Sequence, residues 1–172
     1  MDEIHVIGGK CLHGNITVQG SKNTVLPLMA GALLYRGINV LKACPRITDV
    51  FYMEEILRAL GAETWWEDHD LYLDCTHADG SHVPEIYSGR MRSSIILLGP
   101  ILARNQQAEI GYPGGCVIGK RPVDLHLYVL RRFGAEIKEE EKKITVSCKK
   151  LCGTEIAFSK RSVGATEQAI LC

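Results

Sequence analysis

An α/β fold built by repeating one supersecondary unit is predicted by three features of this 172-residue sequence. The first is self-similarity. Shifted by 73 residues, Pro27 falls on Pro100, Ala30 on Ala103, Leu57 on Leu130, Gly61-Ala62-Glu63 on Gly134-Ala135-Glu136, Leu71 on Ile144 and Leu73 on Val146, with no gap. A fixed period of this kind marks a structural unit used more than once. The second is that each copy holds one apolar run suited to a buried helix and one amphipathic helix suited to covering a sheet, with short strands between. The third is the stretch from Pro113 to Asp124, whose glycines and prolines make it a loop suited to meeting a ligand.

Taken in order, residues 4–7 and 16–19 predict two short strands joined through Gly8-Gly9-Lys10 and His13-Gly14-Asn15. Gly20-Ser21-Lys22-Asn23 precedes the apolar run Val25 to Leu34, and Pro27 lies early enough for a first turn capped by Ser21 or Asn23. A strand from Gly37 to Leu41 leads through Pro45 to an amphipathic helix, Thr48 to Leu60, that Gly61 ends; Val50, Met53, Ile56, Leu57 and Leu60 share one face. Residues 62–66 and 70–74 read as a hairpin turning at Glu67-Asp68-His69, which sends Trp65 and Trp66 to opposite faces. The second copy supplies a buried helix from Ser94 to Ala103, an amphipathic helix from Val123 to Phe133 and a hairpin over 135–147. A strand from Glu155 to Ser159 then leads into Ser162-Val163-Gly164-Ala165-Thr166-Glu167, the opening of a third copy. The sequence stops at Cys172, one residue before the position equivalent to Pro27, so the third apolar helix is expected to need a partner chain or a longer polypeptide to bury it.

Twenty basic residues balance twenty acidic ones, which disfavours an extended nucleic-acid interface and leaves room for a local anion site. Seven cysteines without paired metal spacing fit a reducing compartment, and neither metal nor cofactor is expected. Cys148 and Cys152, either side of Lys149-Lys150, read as structural. Asp2-Glu3 stands where a leader would be basic, and no apolar run approaches the about 18 residues of a membrane span; no membrane association and a cytoplasmic location are expected.

Polar or basic residues open each unit: Ser21-Lys22-Asn23, then Arg90-Met91-Arg92-Ser93-Ser94, then Lys160-Arg161-Ser162. Helix starts carry free N–H groups, and arginine makes paired hydrogen bonds to phosphate or carboxylate, so three equivalent starts would suit one anionic ligand if they converge. The alternative is dispersed, solvated charge, and for Asn23 a simple cap. Cys116 has two readings as well. The cations Lys120 and Arg121 would lower its titration from about 8.5 and poise it as an acid or nucleophile, or it is a small buried hydrophobe on an ordinary turn.

Gly20-Ser21-Lys22-Asn23, Gly89-Arg90-Met91-Arg92-Ser93-Ser94, Pro113-Gly114-Gly115-Cys116-Val117-Ile118-Gly119, Arg121-Pro122-Val123-Asp124-Leu125-His126 and Ser162-Val163-Gly164-Ala165-Thr166-Glu167 together closely resemble the UDP-N-acetylglucosamine 1-carboxyvinyltransferases, enolpyruvyl transferases of bacterial cell-wall synthesis. The resemblance runs along the whole chain. It implies an inside-out α/β barrel, here incomplete: residues 1–20 as strands that pack with a second domain, and 21–172 as part of the first, with repeats at 21–93 and 94–161 and the start of a third. It also implies the reaction, enolpyruvyl transfer from phosphoenolpyruvate to the 3-hydroxyl of UDP-N-acetylglucosamine with release of phosphate. Cys116 would be the general acid towards the enol methylene and the site of fosfomycin adducts. Lys22, Arg92 and Arg121 would surround phosphoenolpyruvate, and Asn23 would meet the amino sugar. Arg121, Pro122, Val123, Asp124 and Leu125 would bind the uridine, and Lys160, Ser162, Val163, Gly164 and His126 the diphosphate. The related 3-phosphoshikimate carboxyvinyltransferases share fold and chemistry but lack such a cysteine loop, so Cys116 favours the UDP-sugar branch. The base and further arginines of the family belong to its second domain, so this chain alone is expected to be inactive. The alternative is a non-catalytic UDP-sugar or phosphate-binding module that needs a partner chain.

Overall fold

A computed structural model of the chain describes residues 3–114 and 123–172. Its first unit runs through α1 (Lys22–Ala32), β1 (Ile38–Leu41), α2 (Thr48–Ala59) and the hairpin of β2 (Glu63–Glu67) and β3 (Asp70–Asp74). A short β4 (His82–Val83) and a one-turn α3 (Glu85–Ser88) lead into the second unit. This unit has a 3₁₀ turn (Arg92–Leu97) continuous with α4 (Leu98–Asn105), then β5 (Gln107–Gly111), α5 (Asp124–Arg132), β6 (Glu136–Glu139) and β7 (Lys143–Ser147). The third opens with α6 (Val163–Ile170).

Each unit contributes a sheet. The first is β1-β3-β2, antiparallel throughout, and the second is β4-β5-β7-β6, with β4 parallel to β5. Alternation along β3 and β7 buries Leu71, Leu73, Ile144 and Val146, which join Val50, Met53, Ile56 and Leu57 of α2 and the apolar residues of α1 and α4 in one continuous core. The hairpin turns through Asp68, at φ 50°. As the pleat requires, Trp66 packs against the core and donates its Nε1–H to Glu54 at 3.1 Å, while Trp65 lies outside, stacked on Tyr72 at 5.1 Å.

Helices α2 and α5 end alike. Gly61 and Gly134 adopt φ of 99° and 94°, and the following N–H groups reach back from Ala62 to the Leu57 carbonyl and from Ala135 to that of Leu130, at 2.9 and 3.0 Å. Only glycine takes this left-handed turn without strain, so the shared Gly-Ala pair of the two copies is a helix stop used twice.

The gapless repeat is corrected by strand register. Leu41 pairs with Leu71 and Ile110 with Ile144, so the hairpins are 73 residues apart while β1 and β5 are only 69 apart. The second copy shortens the link from helix to strand by four residues, and the connection from β5 to α5, twelve residues against six, more than makes up the difference. On strand register Ala43 corresponds to Tyr112, whereas a constant shift of 73 residues would align it with Cys116.

Three further expectations differ. Residues 4–7 and 16–19 form no ladder, and Ile4, Val6, Ile7, Leu12, Ile16 and Val18 lie exposed, because no strand of the described chain offers them backbone partners. Residues 155–159 form no strand either; by the 73-residue relation Glu155 corresponds to His82 of β4, which pairs with the strand of the following unit. Lastly, the apolar helices are not fully buried. Leu28 and Leu34 are exposed on the α1 side, and the second helix begins as 3₁₀, since Pro100 cannot donate to Ile96.

Candidate functional site

Because α1, the 3₁₀ turn and α6 occupy equivalent places in successive units, their N-terminal ends meet. A cavity of about 290 Å³ is lined by Lys22, Asn23 and Leu26 of α1, Asp49 of α2, Arg90 to Ser93 at the second start, His126 of α5, and Gly164 and Glu167 of α6. No capping side chain closes α1 or the 3₁₀ turn: Ser21 and Met91 stand at the N-cap positions without a side-chain bond to the backbone. Orphan N–H groups are thus left at both ends beside the cavity. At α6 the cap is made, with the Ser162 hydroxyl accepting from the Ala165 N–H at 3.2 Å.

Charge in the cavity is mixed. Lys22 Nζ lies 2.8 Å from Asp49 Oδ1, both side chains partly exposed, so the ammonium is held at the mouth of the cavity. The Arg90 guanidinium sits over the Tyr52 ring, 5.7 Å from its centroid. Arg92 is half-buried in the wall. Burial raises the Glu167 carboxyl above its ordinary range. Asp49 lies in no motif of the sequence, and Glu167 stands at the end of the Ser162–Glu167 motif with no role implied for it; packing brings both to the helix starts.

His126 is buried, and its Nδ1 has no hydrogen-bond partner among the described residues. Burial pushes its imidazole down to about 4, the Arg92 charge acts in the same direction, and Gln168 and Asp124 oppose the shift. The ring is therefore neutral near pH 7 and lines the cavity with an unused polar atom. Gly164 makes room for it: a Cβ there would stand 3.0 Å from His126 Cε1.

The remaining expected residues divide. Lys160, Ser162 and Val163 line an adjoining hollow of about 500 Å³ with Phe158 and Ile170, and Glu167 borders both spaces. Lys160 Nζ lies 3.6 Å from Asp124 Oδ2 in the first turn of α5. Val123 is buried, so its contact with a ligand could only be through backbone, while Leu125 is half-buried. Cys116, Arg121 and Pro122 lie outside the described residues. Both ends of their loop do not: the Gly114 N–H donates to the Ser88 carbonyl at 3.2 Å, a Cβ on Gly114 would run into the Gly89 carbonyl, and the other end enters α5 at Asp124. The loop thus leaves from beside Arg90 and returns beside His126.

Residues 6–172 match the EPSP synthase (3-phosphoshikimate 1-carboxyvinyltransferase) family. The chain belongs to that family. It is 41% identical over 171 residues to UDP-N-acetylglucosamine 1-carboxyvinyltransferase 2 of Caldanaerobacter subterraneus subsp. tengcongensis, covering 99% of this chain and 41% of that protein. It is also 41% identical over 170 residues to the UDP-N-acetylglucosamine 1-carboxyvinyltransferase of Wolbachia pipientis wMel, covering 94% of this chain and 40% of that one. The chain therefore spans about two-fifths of the length of these relatives. Among solved structures, the enolpyruvyl transferase NikO from Streptomyces tendae superposes with a TM-score of 0.78 at 23% identity over 95% of this chain and 39% of its own. EPSP synthase from Acinetobacter baumannii gives 0.70 at 17% identity, over 92% and 38%. Both likenesses show the α/β fold with mixed sheets that enolpyruvyl transferases share.

Proposed function

We propose that this chain is part of an enzyme that transfers the enolpyruvyl group of phosphoenolpyruvate to the 3-hydroxyl of UDP-N-acetylglucosamine and releases phosphate. The observation that carries this reading is the meeting of three helix starts, with Lys22 and Arg92, at one cavity beside both ends of the Cys116 loop. Names of the curated relatives point the same way. In this reading Lys22, Arg92 and Arg121 neutralise the phosphate and carboxylate of phosphoenolpyruvate, and Asn23 orients the sugar. Arg121, Pro122, Val123, Asp124 and Leu125 hold the uridine; Lys160, Ser162, Val163 and Gly164 line the diphosphate path, with His126 at its inner end. Cys116 delivers a proton to the methylene carbon as the sugar oxygen adds to C2. The proton of the 3-hydroxyl passes to a base that the family keeps in its second domain. Loss of a proton from the new methyl carbon, together with phosphate from C2 of the tetrahedral adduct, then restores the carbon–carbon double bond, now as the enol ether.

The exposed apolar rows of residues 4–18 and of α1 support the further reading that a second domain, and a third repeat closing an inside-out barrel, cover them. Calorimetry with UDP-N-acetylglucosamine, followed by mass spectrometry after fosfomycin treatment, tests the proposal. Saturable binding and an adduct on Cys116 alone are expected. An adduct spread over other thiols, or none in the presence of the sugar nucleotide, would overturn it.

A further inference from the structure

The second unit carries a pair of thiols that the proposed reaction does not use. Cys148 follows β7, the chain bends at Lys149-Lys150, and Cys152 comes next but one. Both sulfurs turn to the same acceptor: Cys148 Sγ lies 3.0 Å and Cys152 Sγ 3.7 Å from the Lys150 carbonyl oxygen. Their backbones are anchored independently, the Cys148 N–H on the Gln106 carbonyl at 2.9 Å and the Cys152 N–H on that of Phe133 at 3.0 Å. The bend is thus held with both thiols near one carbonyl, Cys148 Sγ also lying 3.4 Å from the Gly134 carbonyl oxygen; Cys152 is exposed and Cys148 partly so.

The first unit provides an internal comparison. By the 73-residue relation Cys148 corresponds to Cys75 and Cys152 to Asp79. Cys75 is wholly buried, its thiol pushed up to about 11 mainly by that burial, and Asp79 is tied to Arg36 and Arg104. Cys44 and Cys172 are raised to about 11 by burial as well, and Cys11 is exposed. Among the described residues only the 148–152 bend has two sulfurs, neither of them buried, that share one carbonyl acceptor.

We propose that Cys148 and Cys152 form a thiol–disulfide exchange site for small anionic disulfides such as oxidised glutathione, closing to an intramolecular disulfide. The exposed Cys152 thiolate attacks one sulfur of the disulfide; its S–S bond breaks, a mixed disulfide forms, and one glutathione thiolate leaves. Cys148, as thiolate, then attacks Cys152 Sγ, making the protein S–S bond and expelling the second glutathione. Two protein thiols are oxidised, one small disulfide is reduced, and the two protons pass to the released thiolates. Lys149 and Lys150 supply positive charge where the anionic disulfide arrives. Closure would bring the two sulfurs from their shared place at the Lys150 carbonyl to the bonded geometry of a disulfide.

The test treats the reduced full chain with oxidised glutathione, blocks remaining thiols and digests it without reduction. Trypsin cuts at Lys149 and Lys150, so closure joins peptide 144–149 to peptide 151–160 through sulfur. The expected result is this linkage, forming at least about tenfold faster than any change at Cys75, while Cys11 keeps a glutathione adduct. With Cys148→Ser the reaction should stop at a lasting adduct on Cys152. Stable adducts on both residues of the unaltered chain, or linkages scattered among all cysteines at similar rates, would overturn the proposal.

Discussion

The side-chain amide of Gln168 accepts a hydrogen bond from the Gly99 N–H at 2.9 Å when its nitrogen is turned to donate to the Ile95 carbonyl at 3.0 Å. Those two backbone groups are one turn apart and would bond to each other in an uninterrupted helix. The third unit thus inserts a side chain into the helix of the second at the point where 3₁₀ gives way to α. Gly99 is required there, since a Cβ would come within 2.5 Å of the Gln168 amide. Gln168→Leu leaves the Gly99 N–H without an acceptor, while the Ile95 carbonyl keeps the Leu98 N–H, and is expected to cost about 1–3 kcal/mol in urea denaturation. A loss below about 0.5 kcal/mol would show that the helix closes on itself without the amide.

Arg104 joins the units from the other end of the same helix. Its guanidinium, with only 5% of the side chain exposed, donates to the carbonyls of Leu33 at 2.9 Å, Cys75 at 2.5 Å and Thr76 at 3.0 Å and reaches Asp79. Arg104→Leu should destabilise the fold by about 3–5 kcal/mol, because three carbonyls and a carboxylate lose one shared donor. Arg104→Lys, unable to span them, should recover less than half of that loss in the same denaturation series.

Asp79 supplies a pH signature. Hydrogen bonds from Arg36 and then Arg104 hold its carboxyl below the ordinary 3.8. A depressed folded value means that its contribution is complete above 3.8 and disappears as pH falls through the lower folded value. Acid unfolding followed by circular dichroism should therefore begin at higher pH in Asp79→Asn, which lacks the ion pairs at every pH, and the slope below pH 3.8 should become shallower.

His126 works over a different window. Its folded value of about 4 lies below the ordinary 6.5, so between these limits the unfolded chain binds a proton that the native chain refuses. Stability should fall by up to about 3 kcal/mol as pH drops from 6.5 towards 4, and His126→Asn should flatten that dependence. Denaturation midpoints at half-unit pH steps measure it; an unchanged slope in the variant would place the titration elsewhere.

Gly61 and Gly134 share a conformation but not their surroundings. A Cβ on Gly134 meets open space, while one on Gly61 would stand 2.7 Å from the His77 carbonyl. Gly134→Ala should cost about 1 kcal/mol for the left-handed backbone alone, and Gly61→Ala clearly more, since backbone must also move. Equal losses in urea denaturation would mean that the His77 segment yields freely.

Much of this fold was legible because its signals are local. The spacing of Val50, Met53, Ile56 and Leu57 dictates α2, and the Gly-Ala pairs at 61 and 134 dictate where α2 and α5 stop. Alternation through Leu71 and Leu73 dictates a half-buried strand. The helix starts carrying Lys22, Arg92 and Gly164 could be expected to converge because equivalent positions in successive units lie at the same end of the fold. Asp49 beside Lys22 could not be expected, since nothing in its own neighbourhood marks it, and the place of Glu167 between the two hollows depends on packing although its motif is visible in the sequence.

By itself, then, the sequence determined the repeated unit, the type and order of most elements and the family, all properties of short-range pattern and residue identity. Tertiary structure alone decided pairing and burial. Residues 4–7, 16–19 and 155–159 have strand-like composition and remain unpaired, because a strand exists only where another backbone meets its N–H and C=O groups. The four-residue offset of β5, the insertion of Gln168 beside Gly99 and the neutral, buried imidazole of His126 arise in the same way, from contacts between units that no single stretch of chain can specify.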